Sequence, residues 1–248
     1  MNHQEYIRIV PDSRKAVLMI HGIAGSPAHF RDLIPVIPAD WSVYNILLDG
    51  HGKTVWDFSK TSMKKWKAQV AEHLQNLFCQ YDTLVLVAHS MGTLFCIDAA
   101  IQHPDKIKAL FLLSVPSRPW VRVSTVATSL RVSRGNISPD DTSALAMLND
   151  TSIHLEKNLL SYIGWAPRMV ELLRECDRVR KLLPKLTVPC KTYQSQVDEL
   201  VSIRSCKDLA GITCIENTVL TESGHFAYGP EDTRLLQKQL QKILENIP

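Results

Sequence analysis

The chain has 248 residues, of which 45% are hydrophobic and 21% charged, and its formal net charge is +3. These values are typical of one globular α/β domain with an insertion. The small charge and the lack of dense basic runs exclude a usual nucleic-acid-binding module, and no segment approaches the ~18 apolar residues of a stable membrane span. The composition does not determine the oligomeric state.

The first predicted strand covers Ala16 to Ile20 and ends in His21-Gly22-Ile23-Ala24-Gly25. In hydrolases with a strand and loop of this kind, the loop supplies one backbone N–H to an oxyanion hole. Ile23 is the candidate donor here. Gly22 lacks a side chain, which allows the backbone to approach a substrate closely. A helix from Pro27 to Ile37 is predicted to follow.

A second strand from Val43 to Leu48 leads into Asp49-Gly50-His51-Gly52, and His51 is a candidate for the rim of a substrate site. A helix is then predicted from Thr61 or Ser62 to about Tyr81. Its apolar residues recur at helical spacing and are expected to cover the sheet: Trp66, Val70, Leu74, Leu77 and Phe78.

The most informative segment is Ala88-His89-Ser90-Met91-Gly92, between the apolar run Thr83–Val87 and the helix-like run Thr93–Ala100. A strand that turns sharply into a helix around a serine is a nucleophile elbow. Small residues are required two positions before and after the serine, where strand and helix nearly touch. Ser90 is therefore the predicted nucleophile, and the N–H of Met91 is the second predicted oxyanion donor.

A strand over 107–113 precedes a stretch that is rich in proline and helical in pattern. We expect residues 116–185 to form a helical cap inserted into a core of residues 1–115 and 186–248. One helical face carries Trp120, Val123, Ala127 and Leu130 and is expected to pack on the core, with Trp120 a candidate substrate contact. Pro167 is placed in the first turn of a later helix.

The cap holds eleven Lys/Arg against seven Asp/Glu, a net charge of +4. A solvated helix face and a preference for anionic substrates or an acidic lipid surface both remain open.

Two further strands, Val188–Gln194 and Cys214–Leu220, precede the candidate acid and base. Asp198 can accept the Nδ1–H of His225 and leave Nε2 free to take the proton of Ser90. Glu199 is the rival acid, with a longer side chain. The chain order Ser, Asp, His is that of α/β-hydrolases, and the sequence identifies no partner for His29.

The sequence resembles the α/β-hydrolase superfamily, and within it bacterial carboxylesterases and monoacylglycerol lipases. The matching residues are His21-Gly22-Ile23-Ala24-Gly25-Ser26-Pro27, Asp49-Gly50-His51-Gly52, His89-Ser90-Met91-Gly92, Asp198 with Val201, and Gly224-His225. The resemblance implies an α/β-hydrolase fold: an open, mostly parallel sheet with helices on both faces, a serine triad and a cap. Ala88 and Thr93 depart from the glycines common at these positions.

The predicted reaction is a two-step acyl transfer to water on a small-molecule acyl ester, with no metal or organic cofactor. Alternatives that use the same triad are thioester, amide or carbon–carbon bond hydrolysis; a ligand receptor without catalysis is a third hypothesis. The six cysteines contain no C-x-x-C pair, and Met1 to Arg8 lacks an apolar signal-peptide core, so a cytoplasmic location is expected.

Overall fold

The computed structural model describes residues 3–247, which form an α/β fold around a seven-stranded sheet. The strand order is β1-β3-β2-β4-β5-β6-β7, and only β1 is antiparallel to its neighbour. This confirms the predicted mostly parallel sheet. The strands are β1 (Tyr6–Arg8), β2 (Lys15–Ile20), β3 (Ser42–Ile46), β4 (Thr83–His89), β5 (Ile107–Leu113), β6 (Cys190–Ser195) and β7 (Ile215–Leu220).

The α-helices of the described part include the predicted long helix after β3, which begins after Ser62. The Ser62 side chain accepts the N–H of Lys65 and so caps the helix. The helices are α1 (Val55–Lys60), α2 (Met63–Gln80), α3 (Met91–Gln102), α4 (Val123–Arg134), α5 (Thr142–Asp150), α6 (Ala166–Leu182), α7 (Ser205–Leu209) and α8 (Pro230–Glu245).

The single helix predicted from Pro27 to Ile37 is wrong. Two short 3-10 turns, Pro27–Phe30 and Ile34–Val36, stand in its place. Pro35 has no N–H to donate to the preceding turn, and its ring obstructs a continuous α-helix there.

Apolar side chains cover both faces of the sheet. In β2, Leu18 and Ile20 pack in a core with α2 and α3, whereas Val17 and Met19 pack on the opposite face with α8. Strands that are buried on both faces need apolar residues at successive positions, which explains why their sequences do not alternate with polar residues.

The segment between the neighbouring strands β5 and β6 contains α4, α5, α6 and 3-10 turns, with no strand of the sheet among its residues. We call residues 116–185 the cap. The backbone N–H of Ser152 donates to the Ala24 carbonyl, and that of His154 to the Lys53 carbonyl, so the cap is joined to two core loops. None of the helices within 3–247 is long and apolar enough to cross a membrane.

The prediction that one apolar face of the first cap helix packs on the core is also wrong. Val123, Ala127 and Leu130 are exposed, and so is Trp120 just before α4. The buried positions of α4 are instead Thr125, Thr128 and Val132.

Candidate active site

Ser90 lies at a strained turn between β4 and α3. Its φ of 50° and ψ of −122° are unfavourable for a residue with a Cβ. The turn is held by the Ser90 N–H, which donates to the Leu113 carbonyl at 2.9 Å, and by the Thr93 hydroxyl, which donates to the Ser90 carbonyl at 2.6 Å. A strained, over-determined backbone of this kind is typical of a nucleophile elbow.

The strand and the helix of this turn leave no room for a side chain at Gly92. A Cβ there would lie 2.1 Å from the Ile20 carbonyl oxygen and 2.8 Å from that of His21. Ala88, two residues before Ser90, is fully buried. The small residues required by the sequence argument therefore stand where the backbones approach most closely.

The loop after β2 lies directly against Ser90. A Cβ on Gly22 would be 2.9 Å from the Ser90 Cβ and 3.4 Å from its Oγ. Ile23 is the next residue of this loop. Met91 is the first residue of α3, and the N–H groups of a first helical turn have no partner within the helix. Of the two predicted oxyanion donors, Ile23 thus directly follows Gly22, which contacts Ser90, and Met91 directly follows Ser90 itself.

His51 does not lie at the rim of the site, contrary to expectation. It is 1% exposed, and its Nε2 accepts the Ala24 N–H at 3.1 Å. Its Nδ1 then carries the proton and lies 3.1 Å from the Leu48 carbonyl oxygen. His51 thus holds the loop of Ile23 and Ala24 from the buried side, where a substrate cannot reach it.

Asp198 and His225 come together in the structure. Nδ1 of His225 lies 3.0 Å from both carboxylate oxygens of Asp198, and both residues are buried. Asp198 Oδ1 also accepts the N–H groups of Leu200 and Val201, at 2.8 and 2.7 Å. This arrangement fixes the carboxylate and orients the imidazole.

Electrostatics favour a charged Asp198. Burial raises its pKa, but the attraction of His225 and the hydrogen bonds to its oxygens outweigh burial and hold the pKa below its usual value. For His225, burial lowers the pKa, but the charge of Asp198 and the hydrogen bond to it raise the pKa above 6.5.

Two further residues support this acid–base pair: Ser114, which the sequence did not assign, and Glu199, which it offered as the rival acid. The Ser114 hydroxyl donates to Asp198 Oδ2 at 2.9 Å, and Ser114 has a positive φ of 51° directly after β5. Glu199 accepts the backbone N–H of His225 at 2.5 Å. Glu199 therefore positions the loop of His225 and does not contact its ring; the position of Ser114 at the carboxyl end of a strand was the available signal.

The structure does not join Ser90 to His225 by a hydrogen bond. Among residues 3–247, Ser90 Oγ and His225 Nε2 have no hydrogen-bond partner. The two residues nevertheless lie in the same part of the structure, because the ring centroid of His89, the residue before Ser90, is 4.6 Å from that of His225. Catalytic hydrogen bonds are often long without substrate and shorten when it binds.

A second histidine–aspartate pair lies behind His89. The His29 ring stacks on the His89 ring at 3.7 Å, and His29 Nδ1 is 2.7 Å from Asp150 Oδ1 in the cap. His29 Nε2 is 3.1 Å from the Tyr228 hydroxyl. His89 is fully buried, and neither ring nitrogen has a hydrogen-bond partner among the described residues; burial holds its pKa well below 6.5.

A cavity of about 460 Å³ lies between the cap and the core loops. Ile23 and Phe226, the neighbour of His225, line it on the core side. Trp120 does not line it and is 64% exposed, so its predicted role as a substrate contact is not supported. The lining contains no charged residue: Ile23, Ala24, Thr125, Ser129, Leu130, Val132, Ser133, Met147, Thr151, Leu155, Leu159, Tyr162, Trp165, Met169, Leu200 and Phe226.

Comparison with known proteins identifies the fold. Residues 15–131 match the model of the α/β hydrolase fold family. A pimeloyl-[acyl-carrier protein] methyl ester esterase of Neisseria meningitidis is 31% identical over 115 residues, 45% of this chain and 41% of the esterase. The chain thus spans about two fifths of that relative.

Two further comparisons each cover most of the chain. The karrikin insensitive 2 receptor IA of Petunia hybrida is 23% identical over 88% of this chain and 86% of the receptor. A solved structure of the metagenome-derived lipolytic enzymes LipS and LipT superposes with a TM-score of 0.74 at 20% identity, covering 98% of both chains. The chain therefore has the α/β-hydrolase fold and is similar to esterases and lipases.

Proposed function

We propose that the protein is a serine hydrolase that cleaves carboxylic esters of apolar acyl groups, as carboxylesterases and monoacylglycerol lipases do. The observation that carries the proposal is the buried Asp198–His225 pair, 3.0 Å apart, beside the strained Ser90 turn. A carboxylate on Nδ1 leaves Nε2 as the base for the serine hydroxyl. The esterase and lipolytic enzymes among the similar proteins support the same chemistry.

In the proposed reaction, His225 takes the proton of Ser90 as Oγ attacks the ester carbonyl. The N–H groups of Ile23 and Met91 stabilise the oxyanion, and each such donor contributes roughly a hundred- to a thousandfold in rate. His225 then protonates the leaving alcohol. Water repeats the sequence on the acyl-enzyme and releases the acid.

The uncharged cavity favours a neutral, apolar acyl group. A volume of about 460 Å³ corresponds to roughly 15 groups of water size at ~30 Å³ each. An apolar acyl chain can enter such a space, so we expect kcat/KM on p-nitrophenyl esters to be higher for medium-chain esters than for the acetate. Faster turnover of matched acyl-CoA thioesters or amides would favour the alternative bond classes.

Active-site labelling tests the proposal most directly. A fluorophosphonate should label the wild type and fail to label Ser90→Ala. Ser195→Ala is the matched control, because Ser195 is also buried and its Oγ has no hydrogen-bond partner in the described part. A folded wild type that resists labelling would instead favour a receptor, as in the petunia relative.

We also propose a cellular location and the bounds of the cap. The six cysteines, all free thiols, suit a reducing cytoplasmic compartment. The bounds 116–185 of the cap remain our prediction, which limited proteolysis can test.

A further inference from the structure

Two cap residues at the end of α5 contact the loops that carry the proposed catalytic groups. One of them, Ser152, is buried. Its hydroxyl donates to the Gly25 carbonyl at 2.6 Å, and its backbone N–H donates to the Ala24 carbonyl at 2.9 Å. Ala24 has a positive φ of 56°, which is unfavourable for a residue with a Cβ. Ser152 therefore holds the loop of Ile23, the candidate oxyanion donor, in a strained conformation.

The other residue, Asp150, reaches the loop of His225 through His29. The Asp150 and His29 side chains are 9% and 2% exposed, and their Oδ1 and Nδ1 atoms are 2.7 Å apart. His29 stacks on the ring of His89, which lies beside the ring of His225, and its Nε2 is 3.1 Å from the Tyr228 hydroxyl. Because neither nitrogen of His89 has a hydrogen-bond partner within residues 3–247, packing holds its ring. The position of the His225 ring therefore depends in part on the Asp150–His29 pair.

The charge of Asp150 also acts on the base. Burial lowers the pKa of His225, and the carboxylates of Asp198, Asp150 and Glu199 raise it. His89, the titratable group beside the His225 ring, is neutral because burial holds its pKa well below 6.5. Of these three carboxylates, Asp150 belongs to the cap. The cap therefore contributes to the charge around the imidazole as well as to its position.

These contacts are separate from the binding of an acyl group. Neither Asp150 nor Ser152 lines the cavity between the cap and the core, although Thr151 between them does. Loss of either contact should leave the space for an acyl group unchanged. A displacement of about 1 Å in a catalytic group costs roughly a hundredfold in rate. The effect of these contacts is therefore expected in kcat rather than in KM.

We propose that Asp150 and Ser152 are positioning residues, through which the cap holds the base and the oxyanion loop in their catalytic arrangement. The contacts are features of the structure, whereas their effect on turnover rests on the proposed function. The cap then acts in the chemical step as well as enclosing the substrate, because both loops are held in place only while the end of α5 packs on the core.

Ser152→Ala removes the hydroxyl bond to the oxyanion loop and keeps the backbone bond to Ala24. We expect kcat on p-nitrophenyl acetate to fall about tenfold, with KM changed less than about twofold, because a misplaced N–H stabilises the oxyanion less well. Ser161→Ala is the matched control. Ser161 is also buried in the cap, but its hydroxyl donates to no core loop among residues 3–247, so kcat should keep its wild-type value. A wild-type kcat in Ser152→Ala would refute the role of Ser152.

Asp150→Ala removes a hydrogen-bond acceptor and a charge, and it should lower kcat about tenfold. Asp150→Asn restores the acceptor, since an amide oxygen can accept the Nδ1–H of His29, so kcat at high pH should recover to within about threefold of the wild type. The acid limb of kcat/KM should still move to lower pH, because a charge that raises the pKa of His225 is gone. Asp140→Asn, at an exposed carboxylate of the cap, should change neither quantity.

Asp150→Asn is nearly isosteric with the wild type, so it tests the role of Asp150 even if Asp150→Ala does not fold. An unmoved acid limb in Asp150→Asn would contradict that role, and so would a kcat as low as that of a folded Asp150→Ala. Circular dichroism confirms which variants are folded.

The link between the cap and the base is also measured without turnover. The pKa of His225 is followed by NMR titration of Ser90→Ala with isotope-labelled histidines, and His225→Gln identifies its signal. Adding Asp150→Asn should lower this pKa, whereas adding Asp140→Asn should not. A lowered pKa beside a wild type that does not hydrolyse esters would refute the proposed function and leave the contact between cap and base supported. An active wild type that Asp150→Asn and Ser152→Ala both match in kcat and pH profile would refute the positioning roles alone.

Discussion

Adjacent carboxylates act on different atoms of the same histidine. Asp198 contacts the ring of His225, whereas Glu199 accepts its backbone N–H. Asp198 thus mainly controls the charge of the imidazole, whereas its neighbour Glu199 mainly controls the position of the loop that carries it. The two roles predict different consequences of removing each charge.

Asp198→Asn should lower kcat/KM by about 10³- to 10⁴-fold while the fold is retained, because the imidazole loses its correct tautomer. The acid limb of the pH profile of the residual activity should also move to lower pH. His225 acts as a neutral base, and the carboxylate that raises its pKa above 6.5 is then gone.

Glu199→Gln is the control for this prediction. A glutamine oxygen can still accept the His225 N–H, so we expect less than about a tenfold loss in kcat/KM. The charge of Glu199 raises the pKa of His225 less than Asp198 does, so the acid limb should move less than in Asp198→Asn. An active Asp198→Asn beside an inactive Glu199→Gln would reverse the assignment of the acid. Thermal unfolding followed by circular dichroism checks that both variants are folded.

Among the helices and strands, the sequence predicts those elements whose formation depends on a local residue pattern. The strand predicted over 107–113 is β5, and the turn around Ser90 follows from residue size on either side. Strand β1 has only three residues and depends on antiparallel pairing with β3, which no local pattern announces. The orientation of α4 likewise depends on its surroundings.

Contacts between side chains that are far apart in the chain also cannot be predicted from local sequence patterns. His29 and Asp150 are 121 positions apart, and neither stands in a motif that indicates the other. The packing of the cap against the core brings them together. His51 was misplaced for a related reason, since its loop position suggested access but its ring turns inward to the Ala24 N–H.

The contact between β2 and α3 predicts the cost of a methyl group. Gly92→Ala would force a Cβ against two backbone carbonyls, neither of which can rotate away. We expect the free energy of unfolding to fall by about 3 kcal/mol or more, as in severe overpacking. Urea denaturation measures this loss.

Gly135→Ala separates this steric cost from backbone strain. Gly135 has a φ of +73°, but a Cβ there meets no atom within 4 Å. The cost should then be only about 1 kcal/mol, from the left-handed conformation. Equal losses in the two variants would show that the close approach at Gly92 does not determine stability.

Across the whole molecule, neutral buried histidines link the loops beneath the site. Nε2 of His21 accepts the Leu48 N–H and Nε2 of His51 accepts the Ala24 N–H, so neither nitrogen can take a proton without losing that bond. Burial lowers the pKa of His51 to about 4 and holds those of His21 and His89 well below 6.5. His225 alone among these four has a raised pKa.

These pKa values predict that mild acid destabilises the protein. Below pH 6.5 the unfolded chain protonates these histidines, whereas folded His51 does so only near pH 4, so the free energy of unfolding falls as pH drops through that window. His51 alone contributes about 3 kcal/mol over that range, at ~1.4 kcal/mol per pH unit. His225 acts in the opposite direction, because it binds its proton more tightly when folded, but the pKa values of His21 and His89 are held well below 6.5 and add to the effect of His51. Urea unfolding between neutral pH and pH ~5 measures the slope. His51→Gln should flatten it, whereas His103→Gln, at an exposed position, should not. An unchanged slope in His51→Gln would mean that folding does not lower the pKa of His51.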